Sequence, residues 1–461
     1  MDMFFDKVIR GQLVLENKIV LGEIGINDGK IVNVSERVGE FQTNQLIDFS
    51  NQLVFPGFID VHLHCFSNPD EGFTKVSRSA AVGGITSFLD MPYDLPNPIN
   101  NVEEFNKKRK RLEEETVVDV GLIATIKKEG GLDQIIPLAE AGAAAFKMSL
   151  FETDPYRFPR IPDYEILKAF EIIKKTGLRV GFHAENDEII NPIIEEFKDD
   201  NKLYPLAHAQ SRPPVSETSA ILKLLDFAYW TRVKLHIFHV SHPRGIELIQ
   251  QFKRDGVDVT AETCYHYLLL NQEDLNKYGP IAKMNPPLRS SEAVEGLWNQ
   301  LKEQEIDFVT SDHAPWNYQD KTMGNDNIFK SPSGLPGVET LVPLMFDALV
   351  SSGKLTPIDF AKLLSTNPAQ LFGIKNKGAI KIGYDADLTV IDKEADFTID
   401  ASKFQSLAKW SPFDRNILKG KVSQTIVRGE VVYDGRKILK KAGFGKFMAG
   451  IATNNQEKVK S

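Results

Sequence analysis

The 461-residue sequence is poor in cysteine, with only Cys65 and Cys264, which lie far apart in the chain. Two distant cysteines cannot form the disulfide framework of a small secreted protein, so we expect a reducing, cytoplasmic location. No apolar run approaches the length of a membrane-spanning helix, which argues against a membrane partner. The first residues include acidic side chains and lack the apolar segment of a secretory signal, which also favours the cytoplasm.

The chain also lacks a strong excess of positive or negative charge. The net charge is −8, and the basic residues are scattered along the chain rather than clustered. Because nucleic-acid-binding proteins usually carry a concentrated basic surface, we expect no nucleic-acid partner. Hydrophobic residues make up 42% and charged residues 26% of the chain, which is ordinary for a globular protein. The length suits one large domain with a smaller accessory domain.

Eight compact apolar runs recur through the middle of the chain, and most are followed by a polar loop and a helical pattern. The runs are LVFPGFIDVHLH, GGITSFLDMP, VVDVGLIATI, AGAAAFKMSL, GLRVGFHAEN, RVKLHIFHVS, VDVTAETCYHY and IDFVTSDHAP. Continuous apolar runs are typical of parallel strands that are buried on both faces. Eight strand–helix units in about 320 residues predict an α/β fold, a TIM (β/α)8 barrel.

Both ends of the chain have a different, turn-rich β pattern. We expect residues 1–54 and 375–440 to form one small β-sandwich domain beside a catalytic barrel of residues 55–374. The remaining residues, 441–461, are rich in Gly, Lys and Asn and predict a tail that is mobile at its end.

Six potential metal ligands are predicted at the carboxyl ends of the barrel strands, where the chemistry of TIM barrels takes place. They are His62, His64, Lys147, His183, His239 and Asp312. His62 and His64 are two residues apart, so on a strand both side chains face the same side and can hold one metal ion. His183 and His239 suit a second metal. Each histidine alone would more often be structural, and we interpret His236 in that way.

Lys147 and Asp312 each allow two interpretations. Lys147 ends an apolar strand, where a buried ammonium needs a partner or must lose its charge. A neutral lysine can add carbon dioxide to form a carbamate that bridges two cations, whereas a lysine that extends into solvent would remain a plain ammonium. Asp312 is either a loop-initiating residue or a metal ligand that acts as the general base. The four histidines favour the metal-site interpretation for both.

The motifs DVHLH, AFKMS, GFHAEN, HVSH and SDHAP, in this order, resemble the cyclic amidohydrolase branch of the amidohydrolase superfamily. That branch includes allantoinases, hydantoinases (dihydropyrimidinases) and dihydroorotases. The resemblance runs from about residue 50 to residue 375, and GYDADLTVID is similar to the family's closing β segment. We also expect a homo-oligomer, either a dimer or a tetramer.

The resemblance implies a site with two divalent metal ions, most simply zinc. His62 and His64 would bind one ion, and His183 and His239 the other. Carboxylated Lys147 would bridge the two ions. Asp312 would complete the site and pass a proton from the attacking water to the departing amide nitrogen, which opens the ring to a ureido acid.

The predicted substrate is a small neutral cyclic ureide. Phe66 stands where dihydroorotases usually carry the arginine that binds the substrate carboxylate, and Glu152 stands where hydantoinases tend to have a tyrosine, with Tyr156 nearby. DMPYDLPNP, RPPVSE and ETCYHYLLL resemble allantoinases, whereas SGLPGVE is closer to the other two groups. We therefore predict allantoinase activity, which converts allantoin to allantoate, ahead of hydantoinase and then dihydroorotase activity. The predicted substrate contacts are Phe66, Asn285 and Gly334.

Arg157 and Arg160, in the loop after Lys147, are either solvated surface residues or a substitute clamp for a substrate carboxylate. Two other functional classes remain open. A non-catalytic scaffold of this family would have lost metal ligands, yet all six positions hold competent residues. A single-metal deaminase of the superfamily is disfavoured by Lys147 at the bridging position. The sequence therefore favours a two-metal enzyme.

Overall fold

The structure is a computed structural model that describes residues 4–452. The strands before the barrel are β1 (Phe4–Phe5), β2 (Lys7–Val14), β3 (Ile19–Asn27), β4 (Lys30–Ser35), β5 (Gln42–Thr43) and β6 (Leu46–Pro56). The barrel strands are β7 (Phe58–Leu63), β8 (Ile85–Asp90), β9 (Asp119–Ala124), β10 (Ala145–Ser149), β11 (Arg179–His183), β12 (Lys234–Ile237), β13 (Val259–Cys264) and β14 (Phe308–Thr310). The strands after the barrel are β15 (Leu388–Thr398), β16 (Ile417–Val427) and β17 (Glu430–Tyr433).

The eight strands from β7 to β14 form one parallel sheet in the order of the chain. The residues that follow β7 and β14 close this sheet, because the His64 main-chain N–H donates to the His313 carbonyl at 2.8 Å. Every residue of β8, β9 and β13 is buried, as expected for strands covered on both faces. Each of the eight apolar runs contains one of these strands, so the predicted TIM barrel is confirmed.

The helices are α1 (Gly72–Val82), α2 (Val102–Glu115), α3 (Ile135–Ala141), α4 (Asp163–Thr176), α5 (Asp187–Asp199), α6 (Ala207–Gln210), α7 (Pro214–Thr231), α8 (Pro243–Arg254), α9 (Tyr265–Leu269), α10 (Asp274–Tyr278), α11 (Ser291–Lys302), α12 (Tyr318–Thr322), α13 (Leu341–Met345), α14 (Pro357–Ala361) and α15 (Asn367–Leu371). Local residues set their ends. The Asn101 side chain accepts the Glu104 N–H at 3.0 Å and caps α2. Gly177 ends α4 at a φ of +74°, which glycine adopts without a steric penalty. None of these helices within residues 4–452 is long and apolar enough to cross a membrane.

The two chain ends together form a second, seven-stranded sheet in the order β17-β16-β15-β6-β2-β3-β4. Its β2–β6 pair is parallel and its other pairs are antiparallel. A separate apolar cluster from both ends stabilises it, including Ile9, Ile24, Leu388 and Ile426. The predicted small β-sandwich domain is thereby confirmed. Only Gly57 separates β6 from β7, so this domain joins directly to a strand that carries predicted ligands.

Part of the predicted tail contacts the barrel. The Val120 main-chain N–H donates to the Lys446 carbonyl at 2.9 Å, and the Met448 N–H donates to the Val120 carbonyl at 2.8 Å. Residues 446–448 therefore run beside β9. The mobility predicted for the end of the tail concerns residues 453–461, which lie outside the described residues.

Candidate active site

All six predicted ligands lie at one end of the barrel. His62 lies on β7 and Lys147 on β10, His183 is the last residue of β11, and the other three closely follow β7, β12 and β14. Five of the six line a cavity of about 110 Å³, namely His64, Lys147, His183, His239 and Asp312. His62 lies just beneath them and is fully buried. The structure thus brings together residues that span 250 positions of the chain, as a TIM-barrel site requires.

The first group of side chains meets around the Asp312 carboxylate. Its Oδ1 lies 3.1 Å from His62 Nε2 and 3.4 Å from His64 Nε2. Three ligand atoms of these residues lie within 4.8 Å of one another. The Lys147 Nζ is 2.9 Å from the same His62 Nε2. Two imidazoles, a carboxylate and a lysine therefore point at one small volume.

The second group is the pair His183 and His239, whose Nδ1 and Nε2 atoms face each other at 2.9 Å. Both side chains are buried. His239 has a φ of +42° and Asp312 has a φ of +44°, in the left-handed region that costs a non-glycine residue about 1–2 kcal/mol. Strain of this kind collects at functional sites, where the surrounding structure enforces it.

Two of these histidines contact a carboxyl group through one of their two ring nitrogens. Glu262, on β13, contacts His62 Nδ1 and also accepts the Thr310 hydroxyl at 2.9 Å. Glu185 lies 2.8 Å from His183 Nε2 and 2.7 Å from an Arg212 guanidinium nitrogen. These contacts occupy one nitrogen of each ring and leave the other nitrogen to face the site. Such partners orient histidine ligands and increase their basicity.

Glu262 and Glu185 are functional residues that sequence reasoning missed. The available signal was a carboxyl group within or directly after an apolar barrel strand, in VTAETC and GFHAEN. Glu262 also lies 3.3 Å from His236 Nε2. His236 is fully buried, stacks on Phe308 and does not line the cavity.

Burial controls the protonation of the site. It lowers the pKa of His62 and His239 well below the usual histidine value, and it lowers the pKa of His64 as well. These imidazoles are therefore neutral near pH 7, which is the form that binds metals. Burial also lowers the pKa of the Lys147 ammonium to about 8. No carboxylate among the described residues forms an ion pair with Lys147, whose Nζ lies 4.3 Å from the Phe238 ring centre.

The contact between Glu262 and His62 leads to a first prediction. Glu262→Gln replaces the carboxyl that fixes the His62 ring with a neutral amide, which is a weaker partner, so we expect metal affinity to fall about 10- to 100-fold. Competition with a chelator measures this change. Glu339→Gln serves as a matched control. Burial raises the pKa of the Glu339 carboxyl to about 7, and this group contacts none of the six ligands. Equal metal affinity in the Glu262→Gln variant and the wild type would contradict the role of Glu262.

Two of the three predicted substrate contacts line the cavity, Asn285 and Gly334. The Asn285 Oδ1 is buried and has no hydrogen-bond partner among the described residues, so it is free to accept one. The Gly334 N–H already donates to the Lys283 carbonyl at 3.0 Å. A Cβ at Gly334 would lie 2.6 Å from the Ala314 carbonyl oxygen, so only glycine fits there.

Phe66 does not reach the cavity, contrary to its prediction as a substrate contact. It is 3% exposed and packs edge-on against Phe73 at 4.9 Å, with the Arg111 guanidinium 4.3 Å from its ring centre. A large apolar ring gains more from this interior packing than from a polar cavity. The presence of phenylalanine at position 66 therefore gives no information on whether the cavity wall is polar.

The loop after β10 presents Arg157 to the cavity, but not its neighbours Tyr156 and Arg160. Tyr156 is 61% exposed, and its hydroxyl donates to the Asn97 side chain at 3.0 Å. Arg160 forms ion pairs with Asp187 and Glu188, at 3.1 and 2.9 Å. Of the two arginines considered as a clamp, only Arg157 is placed to touch a ligand.

Known proteins share this fold and much of this sequence. Residues 53–432 match the model of the Amidohydrolase family. The chain is 34% identical to an L-hydantoinase of Paenarthrobacter aurescens over 96% of this chain and 98% of that protein. It is 33% identical to an allantoinase of Bacillus licheniformis over 97% of this chain and 100% of that protein.

A solved structure, the L-hydantoinase (dihydropyrimidinase) from Arthrobacter aurescens, superimposes with a TM-score of 0.94 at 34% identity. The alignment covers 96% of this chain and 100% of that one. The match therefore includes the barrel and the β domain. This match, together with the cavity lined by histidines, lysine and aspartate, identifies the protein family. The chain belongs to the amidohydrolase family, within its cyclic amidohydrolase group, and is a metal-dependent hydrolase that acts on cyclic amides.

Proposed function

We propose that this enzyme hydrolyses a cyclic ureide, with allantoin as its preferred substrate and allantoate as the product. The observation that carries the proposal is the convergence of Lys147, Asp312 and four histidines on one cavity. The four imidazoles and the carboxylate form a nitrogen and oxygen donor set of the kind that binds zinc. Convergence of six such groups has no structural purpose without a ligand between them.

The donor set divides into two halves, one for each of two divalent ions. His62 and His64 would hold one ion together with Asp312, and His183 and His239 would hold the other. The contacts from Glu262 and Glu185 fit this assignment, because they leave His62 Nε2 and His183 Nδ1 facing the site. Two bound zinc ions supply Lewis acidity, which activates water and polarises the ring carbonyl near neutral pH.

Lys147 completes the set if it carries a carboxylate. The ammonium first loses a proton, and the neutral Nζ then attacks carbon dioxide. As the nitrogen–carbon bond forms a second proton leaves, so the side chain changes from a cation to a carbamate anion. The surroundings favour this form, because Lys147 is 1% exposed, forms no ion pair with a carboxylate of residues 4–452 and lies beside His62. A buried ammonium without a counterion is costly, whereas an anion between two cations is stabilised.

Asp312 transfers the proton that ring opening requires. Its carboxylate lies where the first group of ligands meets and also lines the cavity. It takes a proton from the attacking water and delivers it to the ring nitrogen as the carbon–nitrogen bond breaks. The Asn285 Oδ1, which has no hydrogen-bond partner among the residues that the structure describes, accepts an N–H of the ring and orients it.

A second candidate is hydantoinase activity. The chain is 34% identical to the L-hydantoinase of Paenarthrobacter aurescens and 33% identical to the allantoinase of Bacillus licheniformis, so relatives alone do not separate the two. Both candidates share a small cyclic ureide as the substrate. Dihydroorotate stays third, although Arg157 provides a cation in the cavity wall that Phe66 does not.

We also propose a cytoplasmic homo-oligomer, a dimer or a tetramer. Helix α7 exposes large apolar side chains, with Trp230 at 75%, Val215 at 54% and Leu222 at 46% exposure. Apolar groups of this size on one helix are common at subunit interfaces. Cys65 and Cys264 are both free and buried, in keeping with a reducing compartment.

Side-by-side assays test the substrate. Allantoin, hydantoin, dihydrouracil and dihydroorotate are each offered to the zinc-loaded enzyme, and ring opening is measured as kcat/KM. We expect the highest value for allantoin. Efficient turnover of dihydroorotate with none of allantoin would contradict this ranking and leave the class of reaction intact.

A further inference from the structure

Arg157 forms part of the wall of the cavity that five of the predicted ligands also line. The Asp154 side chain fixes the turn that carries it, because Oδ1 accepts the main-chain N–H groups of Tyr156 and Arg157 at 3.0 and 2.7 Å. The Arg157 Nη1 then donates to the carbonyls of Tyr93 and Ser67, at 3.1 and 3.4 Å. The guanidinium is thereby held in place by main-chain groups of two other loops.

No carboxylate in the described part of the chain forms an ion pair with Arg157, although Asp154 and Asp94 lie near enough to interact with its charge. Among residues 4–452 its guanidinium donates to the two carbonyls, and its Nε is buried without an acceptor. Other arginines near the site are paired, Arg212 with Glu185 at 2.7 Å and Arg289 with Glu217 at 2.8 Å. Burial lowers the pKa of Arg157 by more than the nearby Asp154 and Asp94 raise it. Five N–H donors in a fork are thus only partly used.

The residues around this cavity belong to two sets. His183, His239 and Asp312 are predicted metal ligands, and Arg157 and Phe158 come from the loop after β10. The Phe158 and His183 ring centres are 5.9 Å apart, so the two sets meet in the cavity. A substituent on a ring bound at the histidines can therefore reach the lining that Arg157 provides.

We infer that Arg157 binds an oxygen-bearing substituent of the substrate ring and thereby selects ureides that carry a ureido carbonyl or a carboxylate. The inference rests on the proposed function, since it assumes that the ring is opened at the neighbouring ligands. A guanidinium matches both groups, because its planar fork donates to one carbonyl oxygen or to two carboxylate oxygens. Unsubstituted rings gain nothing from this contact. Arg157 is thus a specificity-determining residue.

The test compares three rings, which are allantoin with its ureido arm, 5-carboxymethylhydantoin with a carboxylate, and unsubstituted hydantoin. Arg157→Met removes all the donors, and Arg157→Lys keeps the charge but loses the fork. Arg160→Gln is the matched control, because Arg160 lies in the same loop and forms ion pairs outside the cavity.

We expect Arg157→Met to lower kcat/KM about 10- to 100-fold on at least one substituted ring, mainly through KM. The same variant should keep hydantoin turnover within about 3-fold, with Arg157→Lys intermediate on the substituted ring. A larger loss on allantoin identifies the ureido carbonyl as the bound group, and a larger loss on the other ring identifies a carboxylate.

Four results would overturn the inference. An equal loss on all three rings would assign Arg157 a purely structural role, through its bonds to Ser67 and Tyr93. An unchanged kcat/KM on both substituted rings would show that the guanidinium touches neither substituent. A wild-type enzyme that opens hydantoin but neither substituted ring would refute the selection alone, whereas one that opens no ring would refute the proposed function with it.

Discussion

Lys147→Ala is expected to abolish ring opening, with a loss of about 1,000-fold or more, and to release bound metal. The variant removes the group proposed to bridge the two ions, and each tenfold loss in rate corresponds to about 1.4 kcal/mol of lost transition-state stabilisation. Metal content by elemental analysis and kcat by a ring-opening assay measure the two effects. A short carboxylic acid such as acetate or propionate should restore part of both, because it supplies the missing oxygen ligands.

Lys234→Ala is the matched control for this experiment. Lys234 is an exposed lysine at the start of β12, at the amino-terminal end of a barrel strand. Its removal should leave metal content and turnover unchanged. Full metal content and activity in Lys147→Ala, or in a wild-type enzyme shown to contain an unmodified Lys147, would contradict the bridging role.

Asp312→Asn should lower kcat about 100- to 10,000-fold while metal content falls much less. The amide keeps the shape and one oxygen of the side chain but cannot accept the proton of the attacking water. The acidic limb of the pH–rate profile, which reports the base, should disappear together with the rate. Turnover at the wild-type rate would show that another group moves the proton.

The barrel, and the strand ends that carry the proposed ligands, could be predicted because their signals are local. A strand covered on both faces must be apolar along its length, so polar residues at its carboxyl end are conspicuous. His62, His183 and Asp312 were found in this way, and the topology then brings their strands together. The two turn-rich chain ends likewise predict strands that need partners, and each end supplies strands to the other's sheet.

The partners of these ligands could not be predicted, because they depend on distances between side chains on different strands. Glu262 lies 200 residues from His62, and nothing near it in the sequence reveals that it contacts that ring. Phe66 illustrates the opposite difficulty. It lies two residues after His64, but the chain turns there and directs the ring into the interior, against Phe73.

The contacts made by the residues of the cavity wall could not be predicted from the sequence either. Gly334 is placed at the cavity as predicted, but the Lys283 carbonyl takes its N–H. Arg157 and Arg160 are three residues apart in one loop, yet only Arg157 faces the cavity. Which of two similar side chains meets a substrate depends on loop conformation, here the turn fixed by Asp154.

The number of metal ions per chain tests the central claim most directly. Elemental analysis of the wild-type enzyme, purified with zinc and bicarbonate present, should give two equivalents per chain, and chelation should remove ring-opening activity that zinc then restores. Lys147→Ala should bind fewer than two. Full activity in a protein that contains one equivalent or none would contradict a two-metal site built from Lys147, Asp312 and the four histidines.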